Sequence, residues 1–367
     1  MRKGGIALKD QKTCEVRKKT SIGGQALIEG IMMRGPKKTA MAVRDPKGRI
    51  ILEECETKGV RRPKICRLPI IRGIFGYIDS MTVGYKCLMK SAELAGLDEV
   101  VERPAEGEKK DDGWVRVTGE TDAAPAEEPA ETEEKPEEKK EEEKKLPGWV
   151  TTLTMVASVV LSLAIAIGVF VMLPTFLYGL LPIRDTGSAG LNSLIKSAFE
   201  GVIKIALLVG YMAAISLMKD IRRTFMYHGA EHKTIFCYEA GLPLTVENVR
   251  RQRRFHPRCG TSFLILMLIV SVFTSFFIDP ISIAIGGSVL PQALRWVVKL
   301  ALIPLIVGLG YELIKLAGRH DNLFTRIISA PGMWLQHVTV FEPTDDMIEC
   351  AIAAVRRVIP DDGSDNW

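Results

Sequence analysis

The sequence predicts an all-α integral membrane bundle of about four transmembrane helices, joined to a small N-terminal α+β cytoplasmic region. Three observations carry this expectation. The chain is 47% hydrophobic although 25% of it is charged, and its mean hydropathy is positive, +0.12. The charges are segregated: residues 98–145 hold 19 acidic and 9 basic side chains, a net −10 that leaves +15 on the rest of a chain whose total is +5. No charged residue occurs between Lys145 and Arg184, whereas about 20 apolar residues suffice to cross a hydrocarbon core of about 30 Å. A single soluble domain does not fit this pattern.

Residues 1–64 read as a cytoplasmic β-containing region. In Thr39–Glu54, TAMAVRDPKGRIILEE, two β-prone runs flank Asp45-Pro46-Lys47-Gly48, which is hairpin turn chemistry. The first residues have no apolar core after their basic side chains, so they do not read as a signal peptide. Residues 65–97 are apolar but interrupted by Arg67, Arg72, Asp79, Lys86 and Lys90, which predicts an amphipathic, interfacial or re-entrant helix. Residues 98–147, rich in Glu, Lys, Pro and Ala, bury too little apolar surface to offset chain entropy and read as a disordered acidic linker, a solvated tether rather than an interaction arm.

Four spans follow: 150–181, 194–218, 261–278 and 294–316. The second carries Lys196, Glu200 and Lys204 one turn apart. Beyond Lys204 only about 21 Å of helix is uncharged, so its lysines are expected to snorkel outward with mutual Lys–Glu pairing. The connection 219–260 holds nine Lys and Arg residues, while 279–293 holds none. By the positive-inside rule the loop 219–260 is cytoplasmic, as are both termini, in a multi-pass protein of the cell membrane. The region 317–367 is then cytoplasmic, with an amphipathic helix at 345–359. The seven cysteines form no disulfide framework and avoid the expected spans and external loops, which favours a reducing compartment.

The chemistry concentrates in the basic loop. Tyr227–Lys233 reads YHGAEHK, so His228 and His232 stand at i and i+4 on one helical face with Glu231 beside them. Two imidazoles so placed can hold one metal ion, and the carboxylate can take a proton from metal-bound water, the logic of an H-x-x-E-H motif. The same loop offers His256 and Cys259 in Phe255-His256-Pro257-Arg258-Cys259-Gly260, and imidazole and thiolate both suit zinc or another divalent transition metal. Gly229 and Gly260 are expected to let backbone approach an ion. Glu312, in the fourth span, is a further candidate ligand because carboxylates inside spans are costly. His320 and His337 lack partners at ligand spacing and read as structural. The alternatives are interfacial histidines without metal, a closed site of His228, His232, His256 and Cys259, or an open three-ligand site with Glu231 as base. Arg250, Arg251, Arg253 and Arg254 fit contact with anionic lipids; specific DNA binding is not expected.

Several long motifs carry a resemblance. Ser21–Pro36 (SIGGQALIEGIMMRGP), Tyr227–Thr234, Leu244–Phe263 and the Pro331–Ile352 stretch resemble the YqhQ-like bacterial membrane proteins, across essentially the whole chain except the acidic linker. The resemblance implies a family described as predicted metal-dependent enzymes, with His228, Glu231, His232, His256 and Cys259 at the site. Gly23, Gly24, Glu29 and Arg34 match its N-terminal motif, whose role the residues alone do not give. Two functions follow as expectations. One is a zinc-dependent hydrolase at the membrane surface with Glu231 catalytic. The other is a non-catalytic assembly factor whose metal holds the loop in shape while a basic face docks a cytoplasmic partner such as the ribosome or translocation machinery.

Overall fold

The computed structural model describes residues 18–57, 63–97, 113–117, 148–182, 186–320 and 322–366. The chain divides into two compact units, one of residues 1–118 and 189–367, the other of residues 119–188.

The first unit begins with a five-stranded antiparallel meander: β1 Gly23–Leu27, β2 Gly30–Arg34, β3 Lys38–Arg44, β4 Ile50–Glu56 and β5 Val115–Arg116. The expected hairpin is β3–β4. Its turn closes through Gly48 N–H to the Asp45 carbonyl at 2.9 Å, with Gly48 at φ +80°. Strand alternation sends side chains to both faces, and both are covered. Ile31, Met33, Ala40 and Ala42 pack on helices α5 (Lys219–Glu239) and α11 (Asp345–Val358). Leu27, Met32 and Met41 pack on Cys87 of α1 (Ile71–Leu94). The amphipathic helix expected at 345–359 is α11: Ile348, Ile352 and Val355 are buried, with Asp345 and Asp346 in the first turn and Arg356 and Arg357 in the last, which complements the helix dipole. Most of the expected acidic linker lies outside the described residues. Its described part departs from a solvated tether, because Val115 and Arg116 pair with β4 and Trp114 joins the second core.

Helix α1 spans the segment expected to be interfacial. Its inner face meets the sheet and α9 (Ile303–Arg319), while Ile78, Met81 and Tyr85 are exposed. The remaining helices of this unit are α4 (Ala189–Ile215), α6 (Val246–Arg250), α7 (Gly260–Gly286), α8 (Gln292–Ala301) and α10 (Leu323–Thr339). α4 crosses α7 closely enough that a Cβ on Gly201 would lie 2.5 Å from Val272. α10 was not anticipated as an element. It is capped by Asn322, whose side chain accepts from the Thr325 N–H at 2.9 Å, and it packs on α7 and α9.

The second unit holds α2 (Gly148–Ile167), continued through one π turn at Gly168–Met172 into α3 (Leu173–Gly179). Among the described residues three helical stretches are long and apolar enough to cross a membrane: Val156–Gly179, α4 and α7. The fourth expected span, 294–316, is broken. α8 and α9 meet at 45°, the geometry of a broken span or of a re-entrant loop. Pro304 stands at the start of α9, where its ring and missing N–H disrupt the preceding turn.

The expected snorkelling of Lys196 is also corrected. α4 turns this face inward: Glu200 is buried and takes Lys299 at 3.2 Å, and Lys196 Nζ donates to Gln292 Oε1 at 2.9 Å. Next to them Arg295 pairs with Asp279 and donates to Ser193 Oγ. α7 runs to Gly286, so Asp279, assigned by sequence to an external loop, is inside a helix and fully buried.

Candidate metal centre

The candidate centre lies where α5, the start of α7 and β1 meet. His228 Nδ1 donates to the Thr339 carbonyl at 3.1 Å, and His232 Nδ1 to the Arg254 carbonyl at 2.5 Å. A carbonyl only accepts, so each Nδ1 carries a proton and, in the neutral ring, each Nε2 presents a lone pair. Metal-binding imidazoles are commonly held this way. His228 Nε2 lies 3.1 Å from Cys259 Sγ, and the ligand atoms of His228, His232 and Cys259 all fall within 4.8 Å of one another. His232 Nε2 is buried without a hydrogen-bond partner. Such a group costs about 1–3 kcal/mol unless something satisfies it. Here it faces a thiol and a second imidazole, a donor set suited to a divalent transition metal. The residues therefore fit a metal ion.

Cys259 is the N-cap of α7, and its sulfur accepts from the Thr261 N–H at 3.4 Å. Burial pushes the thiol up, but the imidazoles of His228 and His232 outweigh it and hold Cys259 well below the ordinary thiol range. Burial likewise pushes His228 down, yet Cys259 and Glu231 reverse this and raise it to about 9. The two shifts share one cause, the contact between His228 and Cys259, and a metal ion bound there would displace the proton between them.

Glu231 stands beside this group. Its Oε1 accepts the Gly24 N–H at 3.0 Å, and its Oε2 lies 4.0 Å from His228 Nε2. Among the described residues no lysine or arginine pairs with it. Burial raises its pKa above the ordinary carboxylate value, with His232 and His228 opposing. This geometry gives the N-terminal motif its role. A Cβ on Gly24 would lie 2.8 Å from Glu231 Cγ and from the Met32 carbonyl, so only glycine lets β1 reach the carboxylate. Glu29, at φ +50° in the β1–β2 turn, binds Arg223, and Tyr227 donates to it at 3.3 Å, which ties the hairpin to α5 just before His228. Gly23 has open space around its Cα, and Arg34 ends β2 opposite Gly23.

Other expected residues lie elsewhere. Glu312 is held by Arg72 and by the Ile70 N–H at 3.3 Å, away from the cluster. His256 is a neighbour rather than a member: its ring centroid is 5.6 Å from that of His232, its Nδ1 accepts the Arg258 N–H at 3.2 Å, and its Nε2 lies 3.8 Å from Glu239. Burial holds His256 down at about 4, against the pull of the Glu239 carboxylate and with help from Arg258. Burial works against Glu239 too, but His256 and Arg258 bring it to about 2. Gly229 does not line the ion position; a Cβ there would strike the Phe341 carbonyl, and Gly260 has open space. Of the four arginines, Arg250 faces Asp345, Arg251 faces Glu247, Arg254 is 3.7 Å from Glu342, and Arg253 stacks over the Phe236 ring at 4.3 Å.

Gln336 escaped sequence reasoning. This buried α10 amide accepts from the His256 N–H at 2.8 Å and donates to the His256 carbonyl at 2.7 Å and to Ser262 Oγ at 3.0 Å, clamping the turn that aims Cys259. Its only sequence signal is its place in the PGMWLQ motif.

Against known proteins, residues 68–361 match the model of a family described as protein of unknown function, DUF1385. The chain is 33% identical over 342 residues, 92% of each chain, to the "Uncharacterized protein YqhQ" of Bacillus subtilis (strain 168). No solved structure matches. The chain belongs to the DUF1385 family.

Proposed function

We propose that the chain is a membrane-embedded, metal-dependent hydrolase in which His228, His232 and Cys259 bind the metal and Glu231 is the general base. One observation carries this reading: three ligand atoms converge within 4.8 Å while a carboxylate, held by Gly24 rather than by a cation, stands beside them. Three protein ligands are the pattern of catalytic zinc sites, and structural sites use four. A divalent ion bound there supplies a Lewis acid and lowers the pKa of its water to about 7. Glu231 would take the proton of that water on Oε2, since Oε1 is engaged by the Gly24 N–H, and its burial makes it a stronger base than an exposed carboxylate. The Thr339 and Arg254 carbonyls orient the two imidazoles. Zinc suits the donors best; other divalent transition metals suit them too.

The three long apolar helices and the bent pair support the membrane setting. So do Val156, Val159, Val160 and Leu161 of α2, which are exposed to an extent that water penalises and lipid does not. The excess of basic residues in 219–260 favours the cytoplasmic face for the centre, with both termini on that side.

A second reading draws on burial. His228, Glu231, His232 and Cys259 are 9%, 6%, 1% and 5% exposed, as in a structural metal that clamps α5, α7 and β1 in a scaffold for a cytoplasmic partner. The discriminating experiment measures bound metal and turnover of ester, amide and phosphoester substrates by detergent-purified wild type and Glu231→Gln. The hydrolase reading expects the variant to keep its metal and lose at least about 100-fold in turnover. Metal-loaded wild type without turnover on any class would move the account to the scaffold.

A further inference from the structure

A cavity of about 650 Å³ opens one side chain from the candidate metal centre. His256 and Phe236 form the wall on that side, their ring centroids 4.5 Å apart. The cavity sits where helix ends meet. Pro257 and Arg258, just before α7, form one side; Ala317 and Gly318, at the end of α9, form another; α10 crosses as the third. α7 is 27 residues long and apolar, so in a bilayer its end stands at headgroup depth.

The lining is strongly cationic. Lys19, Arg253, Arg258 and Arg326 line it together with one carboxylate, Glu239, which is engaged by Arg258 and by the Thr20 N–H at 2.9 Å. Phe255, Met333 and Trp334 add apolar surface to the rim, beside the imidazoles of His320 and His337. Trp334 is 74% exposed and shares a helical face with Leu323 and Ile327, which are 75% and 61% exposed. A cationic chamber at the end of a membrane-length helix, continued by an exposed apolar strip with a tryptophan, matches an amphiphile: a phosphate in the chamber and acyl chains along α10.

We propose that this cavity binds the headgroup of an anionic glycerophospholipid, with Arg253 and Arg326 meeting the phosphate. This goes beyond the hydrolytic reading and holds whether the metal is catalytic or structural. It also relocates the lipid contact expected from the arginine run, because Arg250, Arg251 and Arg254 face carboxylates while Arg253 lines the cavity.

Native mass spectrometry of the full chain in detergent, with phosphatidylglycerol and phosphatidylcholine of equal chain length, tests it. Wild type should retain phosphatidylglycerol in preference. Arg253→Gln with Arg326→Gln should lower that retention on the order of ten- to thirtyfold. Arg250→Gln with Arg251→Gln should leave it unchanged. Both arginines of the first pair are exposed, and an unchanged detergent-unfolding midpoint verifies that the double variant is folded. Equal retention of phosphatidylcholine, undiminished retention by the first double variant, or complete displacement by millimolar inorganic phosphate would overturn the proposal, the last by identifying a free-phosphate site.

Discussion

The cluster around Arg295 and the cluster around His232 both bury polar groups in the same unit, and they are completed in different ways. The first brings opposite charges together: Arg295 meets Asp279 and Ser193, Lys299 meets Glu200, and Lys196 meets Gln292, while Asp279 Oδ1, Arg295 Nε and Gln292 Nε2 are left without hydrogen bonds. The second instead gathers two imidazoles, a thiol and a carboxylate, with no lysine or arginine paired to them among the described residues, and His232 Nε2 is likewise buried without a hydrogen bond. Opposite charges across α4, α7 and α8 serve the architecture of the bundle. Metal donors that converge on one another could hold a cation from outside the chain.

Variants can break that contrast. The largest effect expected is on bound metal: His232→Ala should lower it from about one per chain to near zero by elemental analysis, whereas Arg295→Gln should leave it unchanged. Metal lost equally from both would erase the distinction. The next concerns stability. Asp279→Ala strands a buried cation and should cost about 3–5 kcal/mol in detergent unfolding, while Asp279→Ala combined with Arg295→Met should recover most of it. Gly24→Ala should cost about 1–3 kcal/mol by crowding Glu231 and the Met32 carbonyl, and should lower turnover while the metal stays.

The smallest effect is on acid sensitivity. His256 titrates at about 4 in the fold against 6.5 ordinarily, so the unfolded chain takes the proton first, and stability falls as pH drops from 6.5 to 4. Glu239, at about 2 against 4.5, adds stability above 4.5 that is lost toward pH 2. Comparing metal-stripped wild type with His256→Gln isolates the first component: the variant should lose less stability between pH 6.5 and 4.

How far the sequence announced these clusters follows from the range of the forces involved. The i, i+4 placement of His228 and His232, the Asp45–Gly48 turn and the apolar stripe of α11 are local, and each was legible. The choice between His256 and Cys259 was not, because it depends on a turn whose geometry is set by Gln336, 80 residues away in a helix that the sequence pattern did not reveal. Glu312 looked like a ligand because a carboxylate in a span demands a partner; the partner is Arg72, 240 residues earlier. The inward turn of Glu200 likewise depends on Lys299 across a helix interface. Gly24 is the same case: nothing near it in the chain explains why it must lack a side chain.

The most direct test of the account is X-ray absorption at the metal edge of the purified full chain, wild type against Cys259→Ser. Wild type should hold about one metal per chain, with one sulfur ligand at about 2.3 Å and nitrogen or oxygen ligands at about 2.0–2.2 Å, and the variant should lose the sulfur signal. Wild-type protein free of metal, or carrying a metal whose shell contains no sulfur, would contradict it.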